Sequence, residues 1–411
     1  MTVDGNKRNG RWLVVLRGDP DTDHIVAGVS HAASQGQLMT LLIVGKPTPQ
    51  MLSRISMLTH SGNVSVEVML QLGTRHSAVG KLSRIRHRRS FVDHFLKRNR
   101  ISLIIHEWWD GIAGVELKKN MRLRTRWFAD FPLQLQFSAQ SLRIPVVALP
   151  HGHAMKEMSI GSAHARGVAE RNDGRLPFGN RDSFAAYVVA HRTDREFLEN
   201  CTTMSANNVS VWGSARFSTQ WVASLYRIIT PFSTDSSARK VLFFLPKWQN
   251  MIDRTATLNL LSTLGSAGGV ELWIREHPRK NESSLSHDER NLLARATSAR
   301  LIESNVDSAS LILGCDVLIE IESSIAIDAV LLGKRVVMPR YLQDSSVASR
   351  FDRTNSVVRT HDLESTIAAV RSEDPVPDAD EDFLVGVAAQ LHADTPAFYD
   401  SALRAIAAGG R

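Results

Sequence analysis

The chain has 411 residues, 43% of them hydrophobic and 22% charged, with 25 Gly and 14 Pro. That is too long for one small core and too ordinary for a collagenous or wholly disordered protein, so two domains of about 150 to 200 residues are expected. The net charge of +7 is uneven: Lys81–Arg126 carries 13 Lys and Arg against Asp93, Glu107, Asp110 and Glu116, a local +9 that leaves −2 for the rest.

Such a block attracts polyanions, whether phosphorylated substrates, anionic lipid headgroups or nucleic acid, and it also reads as a solvated helix face. Cys201 and Cys315 are the only cysteines. They give neither a disulfide framework nor a paired-cysteine zinc site, and they suit a reducing cytoplasm. No run approaches the roughly 20 apolar residues that cross a bilayer, and Met1–Arg11 is polar rather than leader-like, so a cytoplasmic protein is expected.

In chain order, Trp12–Leu16 is an apolar run ending in Arg17-Gly18-Asp19-Pro20. A helix-compatible stretch follows from His24 to Gln35, then a second apolar run, Leu38–Val44. The alternation continues through Val64–Leu70, a basic helical segment to about Asn99, Ile101–Ile105, a helix near Leu133–Leu142, Pro145–Leu149 and Ala185–Val189. Short apolar runs separated by helices predict a parallel sheet with helices on both faces.

A second series starts after the Ser-rich segment 233–237: strand Val241–Leu245, helix Thr255–Leu264, strand Val270–Ile274, a helix near Leu285–Ala294, strand Val317–Ile321, helix Ser324–Leu332 and strand Arg335–Met338. The expected architecture is α/β, two Rossmann-like domains with parallel sheets facing each other across a cleft. Residues 1–230 form the first domain and 231–371 the second, with the boundary near 225–238. Residues 372–382, with six acids and two prolines, read as an exposed linker. Residues 383–411 are expected to return as helices, Phe383–Leu391 and Ala397–Ala408, to the first domain.

Familiar motifs are missing. No G-x-G-x-x-G follows the first strand, Gly73–Lys81 fails the phosphate-loop spacing, and there is no G-x-S-x-G elbow. Asp19, Asp21 and Asp23 are spaced like a cation cluster, but Asp23 is better read as the cap of the helix that follows. His151 and His153 form an H-x-H that would suit a metallohydrolase, given further ligands such as His191 or Glu157. Trp108 and Trp109, just past a strand end, are candidates to wall an acceptor pocket, together with His153, or to pack in the core.

Three strand ends carry the chemistry. Ala148-Leu-Pro-His-Gly-His-Ala154 is expected to hand His151 to the cleft, with Gly152 permitting close approach of a ligand to backbone. Leu272-Trp-Ile-Arg-Glu-His-Pro-Arg279 places Arg275 and Arg279 around His277, and arginine forks suit phosphate oxygens. Asp316-Val-Leu-Ile-Glu-Ile-Glu-Ser-Ser-Ile325 runs into a helix, so Ser323 and Ser324 stand at an N-terminus that favours anions. Together the second and third predict a phosphate site.

The order His-Gly, His-Pro, Ser-Ser, with Val211–Trp221 and Val241–Trp248, resembles bacterial transferases of surface-polysaccharide and teichoic-acid assembly. The similarity is to the CDP-glycerol glycerophosphotransferase family and to capsule polysaccharide transferases, over about residues 145–340. The resemblance implies a GT-B fold with a nucleotide-activated donor held by the C-terminal half. It implies His151 as base toward the acceptor hydroxyl, His277 near the donor diphosphate, and Ser323 and Ser324 as the hydroxyl pair there; Glu322, just before them, is expected among the donor contacts. Pro150 and Glu322 depart from the family pattern.

The expected activity is therefore a glycosyl or polyol-phosphate transferase of surface-polysaccharide biosynthesis, with neither metal nor cofactor. Glu107 is the reserve base, and Arg275 and Arg279 face the leaving group. The basic block would dock a lipid-linked or phosphorylated acceptor at the inner membrane face, with no nucleic acid involved. A sugar-nucleotide epimerase of the same fold, the metallohydrolase and a non-catalytic glycan-associated scaffold are the alternatives.

Overall fold

The computed structural model describes residues 10–60, 62–69, 89–108, 134–153, 163–176, 178, 183–204, 207–248, 250–276, 285–303, 305–321, 323–343 and 349–409. Trp109, Glu157, His277, Arg279, Glu322, Gly73–Lys81 and most of the basic block lie outside the described residues. The chain divides into two compact units: Met1–Lys156, Gly167–Ser218 and Leu391–Arg411 form the first, and Glu157–Arg166 with Thr219–Gln390 the second.

The first unit is built on seven parallel strands: β1 (Arg11–Leu16), β2 (Met39–Val44), β3 (Val64–Met69), β4 (Ile101–Glu107), β5 (Val146–Leu149), β6 (Ala186–Val189) and β7 (Val209–Val211). Their order is β3-β2-β1-β4-β5-β6-β7. β1, β2, β4 and β5 are nearly continuous apolar runs because helices cover both faces of the sheet, and Leu13, Val14, Leu41, Ile104, Ile105 and Val147 are wholly buried. The chain leaves β1 toward β2 and returns on the other side at β4. The crevice between the carboxyl ends of β1 and β4 is thus the topological switch point.

Helix α1 (Asp19–Ser34) starts five residues before the expected His24. Pro20 lies in the first turn, where a missing N–H costs nothing, and Asp19 and Asp21 complement the positive helix end. Asp23 therefore caps nothing; it belongs to the second turn. Helix α2 (Pro49–Thr59), unseen in the sequence, is capped by Thr48, whose hydroxyl accepts the Met51 N–H at 3.1 Å. Helices α3 (Arg89–Arg98) and α4 (Arg192–Cys201) follow β3 and β6.

The second unit carries six parallel strands in the order β10-β9-β8-β11-β12-β13. These are β8 (Arg239–Phe244), β9 (Val270–Arg275), β10 (Ala299–Ile302), β11 (Val317–Ile319), β12 (Arg335–Pro339) and β13 (Val358–Thr360). The core joins Val241, Phe243, Leu272, Ile274, Val317, Ile319 and Val337 to Leu260, Leu261 and Leu264 of α5 (Arg254–Gly265). Helices α6 (His287–Ala294), α7 (Ser308–Gly314), α8 (Ile325–Leu331) and α9 (Leu363–Arg371) complete the layers.

The acidic stretch after α9 is fastened within the second unit. Asp380 accepts hydrogen bonds from the Thr354 hydroxyl and the Asn355 and Phe383 amides at 2.6–2.8 Å. The expected helix from Phe383 to Leu391 is instead one π-helical segment, Asp382–Val387. Helix α10 (Thr395–Ala407) belongs to the first unit and packs on α1. There the buried Tyr399 donates its hydroxyl to the Gly213 carbonyl at 2.9 Å and lays its ring over Gly28. Among the described residues no helix is long and apolar enough to cross a membrane.

Candidate functional site

The first unit gathers ionisable side chains at the carboxyl ends of β1, β4, β5 and β6. Arg17, the first residue past β1, and Glu107, the last of β4, meet across the switch point with Arg17 Nη1 at 2.6 Å from Glu107 Oε1. The second carboxylate oxygen, Oε2, faces His151 Nδ1 at 3.3 Å. Glu107 thus joins a guanidinium to an imidazole. The contact is an ion pair by distance rather than a hydrogen bond; a proton held on Nδ1 by the carboxylate would leave Nε2 as the basic nitrogen, an arrangement that suits a general base. Burial pushes the Glu107 carboxyl up and Arg17 opposes it.

Trp108 is not an open wall. Its indole is buried, donates to the Val188 carbonyl at 2.5 Å, stacks on Tyr187 and meets His151 edge-on with ring centres 5.4 Å apart. It fixes the ring it touches. His153, expected beside the acceptor, is 3% exposed with Nε2 at 3.1 Å from His191 Nε2 and its ring edge-on to Phe217. The two histidines of H-x-H therefore have separate partners, and among the described residues no three His, Cys, Asp or Glu stand together as metal ligands. The metallohydrolase gains nothing from this geometry.

Three acids in the first turns of α1 have different company. Asp19 accepts from the Thr48 hydroxyl, tying α1 to α2. Asp23 faces Arg54 Nε at 2.7 Å and Arg216 Nε at 3.8 Å. Burial would raise its carboxyl, but Arg216 and Arg54 outweigh burial and hold it below the usual range. Asp21 is 3% exposed, and its Oδ2 accepts the main-chain N–H of Arg17 at 2.6 Å. Burial, with Glu107 adding to it, pushes that carboxyl up to about 7. His24, edge-on to Phe217, is pushed down to about 3 by burial and by Arg216, so it is a neutral ring near pH 7.

In the second unit Arg275 ends β9 as a buried side chain; burial pushes its guanidinium down and Asp307 opposes that. Ser323 and Ser324 follow β11, half-buried, with the Ser323 hydroxyl accepting the Ile325 N–H at 3.3 Å. Ser324 holds the cap position of α8 with no side-chain bond. β8 runs between β9 and β11, so the carboxyl ends of those two strands are two strand spacings, about 10 Å, apart along the sheet. The buried Glu320, directly after β11, accepts the Ile321 N–H at 2.9 Å.

Of the residues singled out in the sequence, the structure brings together His151, Glu107 and Trp108. Arg17, Arg54 and Arg216 were not foreseen, and Asp21 and Asp23 were singled out only as a cation-like spacing and a helix cap. The signal for Arg17 and Asp21 was present, a charged Arg-Gly-Asp-Pro-Asp run at the end of the first apolar strand. Arg54 and Arg216 carried none, because their pairing with Asp23 is made only by the tertiary fold.

No protein-family model matches the chain, and no curated protein matches it in sequence. Solved structures do match it in shape. The UDP-GlcNAc 2-epimerase of Neisseria meningitidis, solved with UDP-GlcNAc bound, is 11% identical over 97% of this chain and 99% of that one, with a TM-score of 0.52. A Listeria monocytogenes protein assigned the same activity is 10% identical over 97% and 96%, with a TM-score of 0.54. A Rickettsia africae glycosyltransferase is 10% identical over 98% and 94%, with a TM-score of 0.47. At such identities the fold is what is shared. The chain has the GT-B type of α/β fold, two Rossmann-like units each built on a parallel sheet.

Proposed function

We propose that the protein is a nucleotide-sugar-using enzyme, a glycosyl or polyol-phosphate transferase, in which the first unit supplies the base and the second holds the donor. The observation that carries this reading is the Arg17–Glu107–His151 chain at the switch point of the first sheet. A carboxylate on Nδ1 orients the ring and stabilises the imidazolium that forms once Nε2 has taken a proton.

In the proposed reaction His151 Nε2 accepts the acceptor hydroxyl proton and the oxygen attacks the activated carbon or phosphorus of the donor. The bond to the nucleoside phosphate breaks, and that leaving group departs with the electron pair. Arg275 and the Ser323–Ser324 amides, together with His277, Arg279 and Glu322, are the proposed donor contacts, meeting the charge that grows on the leaving phosphate. The local +9 of Lys81–Arg126 supports an anionic acceptor, lipid-linked or phosphorylated, approached at a membrane surface during surface-polysaccharide assembly.

The test is His151→Ala assayed against a panel of UDP-, CDP- and CMP-activated donors with acceptor present. Transfer should fall about 10²- to 10⁴-fold while nucleotide binding, read by thermal shift, is retained. Undiminished transfer would remove His151 from the chemistry. Two structures with TM-scores above 0.5 are named as UDP-GlcNAc 2-epimerases, which favours epimerisation as the second reading. Proton NMR of donor alone separates the two: inversion at a sugar carbon without acceptor marks the epimerase.

A further inference from the structure

β3 is an edge strand of the first sheet, paired along its whole length with β2, and it carries no proline or bulge to blunt that edge. The Met39 N–H donates to the Asn63 carbonyl at 3.1 Å and the Gly45 N–H to the Met69 carbonyl at 3.0 Å. A strand bonds one parallel neighbour through every second residue, so 63, 65, 67 and 69 face β2. The N–H and C=O groups of Val64, Val66 and Val68 therefore point outward, and among the described residues none of them has a partner. Val66 and Val68 are also 40% and 43% exposed. An open apolar edge of this kind is a template for another strand.

Alternation puts the three valines on one face of β3 and Ser65 and Glu67 on the other. On that second face Arg11 of β1 reaches across β2. Its Nη1 donates to the Ser65 hydroxyl at 3.1 Å, the Thr40 hydroxyl at 3.4 Å and the Met39 carbonyl at 3.1 Å. Among the described residues neither Arg11 nor Glu67 has an ion pair.

We infer that β3 pairs with β3 of a second copy of this chain, antiparallel about a twofold axis through Val66. Residues opposite each other in an antiparallel pair share a face, and outward-facing residues must meet outward-facing ones. With Val66 opposite Val66, Val64 stands opposite Val68 and Ser65 opposite Glu67. The ladder then closes about six hydrogen bonds, and the valines of both copies join in one stripe. Glu67 comes beside Ser65 of the second copy, where the Arg11 guanidinium already rests, so each copy supplies the cation for the carboxylate of the other.

Neighbouring registers are worse. Centring the pair on Glu67 sets two carboxylates opposite each other with backbones about 4.5 Å apart, and centring it on Ser65 puts Val68 opposite Gly62. The strand is thus its own best complement. Twofold pairing uses up this edge in both copies, so association through it stops at two. A six-residue strand buries little surface, which places the dimer in the weak class.

The test is sedimentation velocity of the full-length protein from about 1 to 100 μM, the range in which weak interfaces dissociate, with amide hydrogen exchange at the two ends of that range. The expected result is a shift from monomer to dimer across the range, with exchange at Val66 and Val68 slowing as dimer forms. Val66→Lys sets two cations opposite each other at an exposed site and should stay monomeric with an unchanged melting temperature. Glu67→Gln removes both charge contacts at once and should weaken the dimer about 2- to 30-fold. A protein that stays monomeric at the highest concentration, or a dimer undiminished by Val66→Lys, overturns the inference. So does a dimer strengthened by Glu67→Gln, which marks pairing centred on Glu67. Val66 and Val68 amides protected equally at every concentration overturn it as well, because the chain itself then covers the edge. If the lysine variant does not fold, the exchange data and Glu67→Gln decide.

Discussion

Arg54 shows how much a single charge matters in this molecule. Its side chain is 2% exposed and its Nε meets Asp23 at 2.7 Å. Breaking a buried pair leaves the remaining charge in a poor solvent, so Arg54→Ala should lower the unfolding free energy by about 3–5 kcal/mol in a urea titration. Replacing both members with apolar residues should cost less than either single change. His151 and Glu107 were legible in the sequence because each stands at the end of an apolar strand. Arg17 was not, and Asp21 was read only as part of a cation-like spacing, because a proline in Arg-Gly-Asp-Pro looks like a stop when it is in fact part of a first helical turn. Which guanidinium meets which carboxylate was beyond reach, since Asp23 pairs with residues 54 and 216 through tertiary packing alone.

Most of the strands that were predicted have uninterrupted apolar runs and lie inside a sheet; β3, whose Val-Ser-Val-Glu-Val-Met alternates, is an exposed edge strand. Those that were missed, β7 (Val-Ser-Val), β10 (Ala-Arg-Leu-Ile) and β13 (Val-Arg-Thr), are short edge strands with part of their surface in water, so their sequences carry no long apolar run to read. Helix α7 shows how tightly an element end can be specified. A Cβ added at Gly314 would stand 2.0 Å from the Phe232 carbonyl oxygen, on a segment held to α7 by the Phe232 amide and by the Ser310 hydroxyl, which donates to Thr230. Gly314→Ala must displace backbone rather than a flexible side chain. It should cost about 1–3 kcal/mol, read as a lower urea midpoint, even though alanine is the better helix former.

Across the whole molecule, stability should follow pH through a few buried groups. Burial pushes His24 down to about 3 and His106 to about 4 from 6.5. Below that unfolded-state value the unfolded chain takes up protons the native chain refuses, so their contribution is complete above about pH 6.5 and is lost as pH falls toward 4 and 3. Asp21 acts in the opposite sense: its carboxyl is raised from 3.8 to about 7, so its contribution is complete below about 3.8 and is lost as pH rises through about 7. Melting temperatures at a series of pH values should therefore rise from pH 4 to 6.5. The difference between Asp21→Asn and wild type should move in the variant's favour up to about pH 7 and then stay constant.

The return of α10 to α1 has a further consequence during synthesis. A ribosome must translate all of the second unit before Tyr399 emerges to cover Gly28 and bond to Gly213. Until then the nascent first sheet lacks one of its helices, with the α1 surface around Gly28 open to water. The second unit, whose segments are consecutive apart from residues 157–166, can close earlier although it is made later. Emergence of α10, rather than emergence of the first half, is then the step that completes the unit bearing Arg17, Glu107 and His151.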